Sequence, residues 1–285
     1  MASVTIHEES QSFAAELVVD VLTPRRLKNL TLSGLHGPPF WETMDTSPQG
    51  LQLSLAVILD HFTEGMTGHL HVHNLDLSLL DDDAYEQFLQ LVDSAPGRSG
   101  ATSINLGCLV FRTITDVATL LTRCSSARTV RVRDLTILAP MEGEIFASDV
   151  QWDQKKVFIG RGGQVHLFYI MLDEHVRLDN LKVLVVSDIT QQTMLQLREV
   201  LRKAGGALHV LSIPLLSCDL SLLPSLDLTS NSSLRVLTIS HGLGAGNPIQ
   251  ISSVYTSVLG DAPCSSPLLA SIELERLQAE DYHRD

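Results

Sequence analysis

The sequence predicts an α/β fold, an irregular leucine-rich-repeat solenoid in which short parallel strands alternate with helices. Three observations predict it. One spacing of apolar residues recurs along the chain, several recurrences lie 26 or 27 residues apart, and between them the apolar period changes from 2 to about 3.6.

The spacing is L-x-x-L-x-L-x-x-L. It fits "LKNLTLSGL" at 27–35, "LKVLVVSDI" at 181–189 and "LHVLSIPLL" at 208–216. The same frame fits Thr67/Leu70/Val72/Leu75, Ala101/Ile104/Leu106/Leu109 and Ala127/Val130/Val132/Leu135, and later Leu234/Leu237/Ile239/Gly242 and Leu269/Ile272/Leu274/Leu277. Only Thr67 and Gly242 break the apolar pattern. An interval of 26 or 27 residues suits one strand plus one helix per turn. The longer gap between the frames at 127 and 181 is expected to hold a degenerate repeat or an insertion. The expected organisation is therefore an N-terminal capping helix region over 1–26, a first array over 27–137, an insertion or degenerate repeat over 138–177, and a second array over 178–285.

The remaining elements follow in order. "SQSFAAELVVDVL" (10–22) reads as a helix stopped by Thr23-Pro24. "DDDAYEQFLQLVDSA" (81–95) starts with carboxylates that suit a helix N-terminus and sets Tyr85, Phe88, Leu89 and Val92 on one face. "TITDVATLLTRCSSA" (113–127) repeats that pattern with Ile114, Val117, Leu120 and Leu121. "TQQTMLQLREVLRKAGG" (190–206) is capped by Thr190, buries Met194, Leu197 and Leu201, and stops at Gly205. "IGRGGQ" (159–164) lacks the lysine and spacing of a phosphate loop and reads as a flexible loop.

Bulk composition narrows the function. A formal charge of −13 argues against nucleic acid, which needs a dense cationic face. No apolar run reaches the ~18 residues of a membrane span, and the N-terminus has no signal design. Cys108, Cys124, Cys218 and Cys264 lie far apart with no C-x-x-C pair, so reduced thiols and a cytoplasmic or nuclear location are expected. On that view the sequons at Asn29 and Asn231 carry no meaning. Asp81-Asp82-Asp83 lacks a calcium-loop pattern, no nucleophile elbow occurs, and His175 and His241 read as loop residues. No catalytic residue, metal or cofactor is assigned.

Within each strand the fourth and sixth framed residues should point inward, so their neighbours share the opposite, concave face. His69, His71 and His73 fall there. Alternate strand residues lie about 6.6 Å apart, so two imidazoles could chelate a metal, but no carboxylate or cysteine in the neighbouring framed rows completes a site. A polar recognition surface is a second reading, and plain solvated surface is the favoured one. Reading outward positions row by row gives an arginine pair, Arg131 and Arg133, and valines where polar residues are expected. Arg131, Arg133, Val185, Val210 and Val236 are the candidate residues for a protein partner, with His69, His71 and His73 toward the rim. Cover of the valines by 138–177 or by a flanking side chain is the plain alternative.

"RLKNLTLSGL", "NLKVLVVSDIT", "SLRVLTIS" and "LLASIELERL", joined by helices, resemble the leucine-rich-repeat part of fungal F-box-type proteins, with a layout similar to ribonuclease-inhibitor-like repeats. The resemblance covers roughly residues 25–280. It implies a non-enzymatic protein–protein interaction scaffold, with substrate recognition for a cullin-type ubiquitin ligase as its context. The alternative is an α/β hydrolase or transferase with an unidentified active site. The sequence departs from the family twice. Its ninth slots hold Leu35, Leu75, Leu109, Leu135, Ile189, Leu216 and Leu277 in place of Asn or Cys, so irregular turns are expected. Residues 1–24 contain no F-box pattern, so no docking onto a cullin adaptor is expected, and "QAEDYHRD" is too short for a closing cap, as in a fragment.

Overall fold

The computed structural model describes residues 3–6, 15–23, 26–34, 68–92, 101–124, 126–141, 145–187, 189–215, 226–242 and 271–277. The chain forms a mixed α/β architecture of parallel strands alternating with helices, divided into two compact units, 1–145 and 146–285. Leu35, Thr67, Leu216, Leu269, Cys218, Cys264 and the terminal "QAEDYHRD" lie outside the described residues.

In the first unit β1 (Ser3–Ile6), β2 (Ala15–Thr23) and β3 (Arg26–Gly34) pair antiparallel in sequence. Of the helix expected over 10–22, residues 15–22 are therefore strand, and 10–14 lie outside the described residues. Leu17, Val19 and Val21 alternate, and β-branched residues favour the pleated backbone. Register sets Leu17 opposite Leu32 and Val19 opposite Leu30, so the run takes the period of its neighbour.

From β3 the sheet continues parallel through β4 (His69–Asp76), β5 (Ser103–Phe111) and β6 (Thr129–Ile137). The framed residues on these strands are buried. Leu30, Leu70, Val72, Ile104, Leu106 and Val130 have essentially no exposure. Helices α1 (Asp82–Val92) and α2 (Ile114–Arg123) make the crossovers. Asp81 Oδ1 accepts the Ala84 amide at 2.8 Å, which explains the acidic run as helix capping. Thr113 and Asp116 form a reciprocal capping box on α2. Arg112 reaches back from the end of β5 to Asp82 Oδ1 at 2.7 Å and to the Leu80 carbonyl at 2.6 Å. Tyr85 donates its hydroxyl to the Asp116 carbonyl at 2.7 Å, and burial pushes its pKa well up.

One backbone irregularity recurs inside β4, β5 and β6, just before the ninth slot. Asn74, Cys108 and Asp134 occupy the same slot on three adjacent strands, and each has a left-handed backbone, with φ of 55°, 54° and 49°. A strict two-residue period would turn the ninth slot outward. One left-handed residue in the eighth resets the phase, so Leu75, Leu109 and Leu135 return to the core. Asparagine and aspartate tolerate this conformation by bonding locally, whereas cysteine has no such aid.

In the second unit β8 (Lys156–Ile159), β10 (Val183–Val186), β11 (Val210–Leu215), β12 (Val236–Gly242) and β13 (Ser271–Leu277) are parallel neighbours in that order. A small second sheet pairs β7 (Val150–Gln151) with β9 (Val176–Arg177). The segment 138–177 thus supplies a parallel strand and a helix, α3 (Gln164–Leu172). Val157 and Ile159 pair with Leu184 and Val186, so a further frame runs Gln154/Val157/Ile159/Gly162, midway between those at 127 and 181. The stretch "IGRGGQ" ends β8, turns, and opens α3. Gly162 has a φ of 71°, which lets the strand reverse tightly into the helix.

Helix α4 (Gln191–Ala204) is capped by Thr190 and ends at Gly205, whose φ is 50°. Its last carbonyls are held by a buried side chain. Asn231 Nδ2 donates to the Leu201 and Gly205 carbonyls, both at 2.9 Å. Asn231 is wholly buried with its amide hydrogens used, so the Asn231 sequon is closed to glycosylation in the folded chain.

Candidate interaction surface

In both units alternate strand residues divide into two sets. The fourth and sixth slots are buried at 2% exposure or less, while the third and fifth slots are mostly half-buried or exposed. One face of each parallel sheet is therefore the core side, and the other carries the candidate residues.

In the first unit this face holds the histidine row. The His69–His71 and His71–His73 ring centroids are 6.0 and 6.1 Å apart, as alternate strand positions dictate. Register sets His71 beside Asn105 and Arg131, and His73 beside Gly107 and Arg133. Asn29 Oδ1 accepts the His69 amide at 2.9 Å, and Asn105 Nδ2 lies 3.5 Å from His71 Nδ1. Burial, then His69 and Arg131, holds His71 below the ordinary imidazole pKa. Burial, then Arg133 and His71, does the same to His73. Both rings therefore favour the neutral form beside the arginines. Among the described residues no three His, Cys, Asp or Glu side chains are grouped to hold a metal ion.

Gly107 is the gap in this face. A Cβ there would stand 2.7 Å from His73 Nδ1 and 3.0 Å from Arg133 Nε. The imidazole and the guanidinium thus converge over a bare backbone. One slot on, the Cys108 thiol lies 3.8 Å from Asp134 Oδ2, and burial, with the carboxylate's help, pushes its pKa up. That protects it from thiolate chemistry.

In the second unit Val183, Val210 and Val236 stand in one register, with Val185 in the next slot beside Phe158 on one side and Ser212 on the other. All are half-buried. Val210 and Val236 are direct neighbours, and Val185 lies diagonal to Val210. Phe158 and Val183 extend the apolar row beyond the candidates read from the sequence. Phe158 was hidden in the unrecognised frame. The histidines and arginines belong to the first unit, and the valines to the second.

His241, expected in a loop, lies instead in β12, in register with Leu215 and Arg276. His175 sits in the turn before β9, with Nδ1 3.4 Å from Asp149 and Nε2 3.7 Å from Glu174. Cys124 is a buried free thiol whose Sγ donates to the Val92 carbonyl at 3.7 Å. Among the described residues no helix is long and apolar enough to cross a membrane.

No family model matches the chain, and no curated protein matches it.

Proposed function

We propose that the chain is a non-enzymatic scaffold of irregular leucine-rich repeats that receives a protein partner on its open sheet faces. The observation that supports this reading is the one-sided burial of parallel strands. Parallel sheets in α/β enzymes are ordinarily covered on both faces and read as continuous apolar runs. Here Leu184, Leu211 and Leu237 are fully buried while Val183, Val185, Val210 and Val236 on the same strands keep exposure. Stacked strand–helix units that bury one face and offer the other are the layout of repeat proteins.

Arg131 and Arg133 give the first unit five-donor forks that pair with carboxylates, His71 and His73 adjoin them as largely neutral hydrogen-bonding groups, and His69 ends the row. In the second unit the valines supply area that gains by leaving water. Substrate recognition for a ubiquitin ligase is the context that the repeat resemblance implies for this scaffold.

The test is site-specific photo-crosslinking in cells, with the crosslinking residue placed at 131 or 133 on the sheet face or at 87 or 198 on the helices. The expected result is a discrete crosslinked protein from 131 and 133 and none from 87 and 198. Crosslinks from the helix positions alone would overturn the reading.

A further inference from the structure

Four basic residues stand at one register of the second unit. The Lys182 amide donates to the Lys155 carbonyl at 2.9 Å, the His209 amide to the Lys182 carbonyl at 2.9 Å, and the Arg235 amide to the His209 carbonyl at 2.8 Å. Lys155, Lys182, His209 and Arg235 therefore follow one another at the entries of successive strands. Neighbouring strands lie about 4.8 Å apart, so the row spans roughly 14 Å. Lys155 and Arg235 are exposed, and Lys182 and His209 are partly so. The charges of Lys182 and Arg235 both bear on the His209 ring.

The arrangement is costly as it stands. Like charges directly opposite one another on neighbouring strands repel, as Lys155 and Lys182 do. His209, held below its ordinary pKa by burial, Lys182 and Arg235, resists taking a charge between two cations. The chain has 33 acidic residues with which to neutralise such a row, yet among the described residues none of the four forms an ion pair. Carboxylates in the segments leading into these strands are engaged elsewhere. Asp153 accepts from Asn180 Nδ2 at 3.1 Å, Asp179 lies 3.9 Å from Arg177 Nε, and Asp227 accepts from the amide and hydroxyl of Thr229. Directly beside the cations, one residue further along each strand, come Lys156, Val183, Val210 and Val236. A cationic row and a row of three valines, with Lys156 at its end, thus run side by side across the strands.

We propose that this double row binds an extended acidic segment of a partner protein, with carboxylates along Lys155, Lys182, His209 and Arg235 and aliphatic side chains against the valines. The inference deepens the scaffold reading and rests on it. Same-side residues of an extended chain recur about every 6.6 Å, so three carboxylates at alternate positions span the row. Charge complementarity offsets the repulsion within the row. A polyphosphate chain fits less well, because Lys155, Lys156, Lys182 and Arg235 release few counterions and the net charge of −13 repels a dense polyanion.

The experiment measures fluorescence anisotropy of a labelled peptide of alternating Glu and Val titrated with the full chain at low salt. Its counterpart with Gln for Glu and a single-stranded oligothymidine serve as comparisons. The Glu peptide should bind, and the Gln peptide should bind about tenfold more weakly or worse, as two or three lost ion pairs imply. Lys182→Ala/Arg235→Ala should weaken Glu-peptide binding by a similar factor, and removing like charges should leave the thermal midpoint unchanged or raised. Equal peptide binding by that variant overturns the proposal, as does tighter binding of the oligothymidine. Self-association of the wild type that the variant abolishes also overturns it, by assigning the row to a second copy. Arg131→Ala/Arg133→Ala separates the two claims. If that variant alone loses the peptide, the assignment of the cationic row fails while an open-face scaffold stands. If crosslinking at 131 and 133 fails but the row binds, the reverse holds.

Discussion

His73 and Arg133, on strands that do not touch, meet over Gly107. The strand between them carries no side chain at that slot, and a Cβ placed there would lie 2.7 Å from His73 Nδ1 and 3.0 Å from Arg133 Nε. The imidazole is a stiff ring and cannot swing clear as the end of a lysine would. Gly107→Ala is therefore expected to lower stability by ~1–3 kcal/mol through overpacking. His73→Ala in the same chain should relieve most of that cost. Denaturant melts of the two single variants and the double give the coupling, and strict additivity would mean that the two side chains do not share the site.

Acid should weaken the fold through the same row. The folded chain holds His71 and His73 below the ordinary imidazole value of 6.5, chiefly by burial, and half-buried His166 shares the direction. Between the lowered values and 6.5 the unfolded chain binds more protons, so stability rises with pH in that window. It should be full above about pH 6.5 and decline on acidification below it. Urea midpoints measured from pH 7.5 down to 5 should fall for the wild type and fall less for His71→Gln/His73→Gln. Parallel pH profiles for the two proteins would contradict the assignment.

The frame predicts a sharp contrast within a single strand. Leu184 is fully buried, between Val157 and Leu211 in register, whereas Val185 faces outward. Leu184→Ala should cost ~2–5 kcal/mol from lost transfer and an unfilled cavity. Val185→Ala should cost well under half as much. Equal losses at the two positions would mean that both faces are buried.

Asn231→Ala should destabilise by roughly 1–2 kcal/mol, because it removes the side-chain hydrogen bonds to the Leu201 and Gly205 carbonyls, which keep only the amides of Gly205 and Leu208. Amide exchange in the last turn of α4 should rise with it. Loss of stability without that local change would place the role of Asn231 elsewhere.

What was legible in the sequence was the inward set. Leucines at fixed spacing force strands whose alternate residues enter the core, and Thr190 and Gly205 announced helix ends by hydrogen-bonding chemistry and backbone freedom. What escaped notice had conflicting local signals. The frame at Gln154 starts with a polar residue and ends with a glycine, yet Gln154 is buried. Residues 15–23 carry a pattern that a helix and a strand could share, and only pairing with β3 selects the strand. The cationic row was invisible because Lys155 belongs to the missed frame, and Lys182, His209 and Arg235 lie outside the slots that register hydrophobic period. Cys108 gives no hint of its left-handed backbone, although Asn74 and Asp134 in the same slot do.

The central claim, that partners dock on the open sheet face, is tested most directly by quantitative recovery of wild-type partners with two double variants. Arg131→Ala/Arg133→Ala changes the sheet face, and Gln87→Ala/Arg198→Ala changes the helices. With both variants melting like the wild type, the first should lose partner binding by about tenfold or more, as central interface arginines do, and the second should retain it. Retention by the arginine variant together with loss by the helix variant would contradict the account.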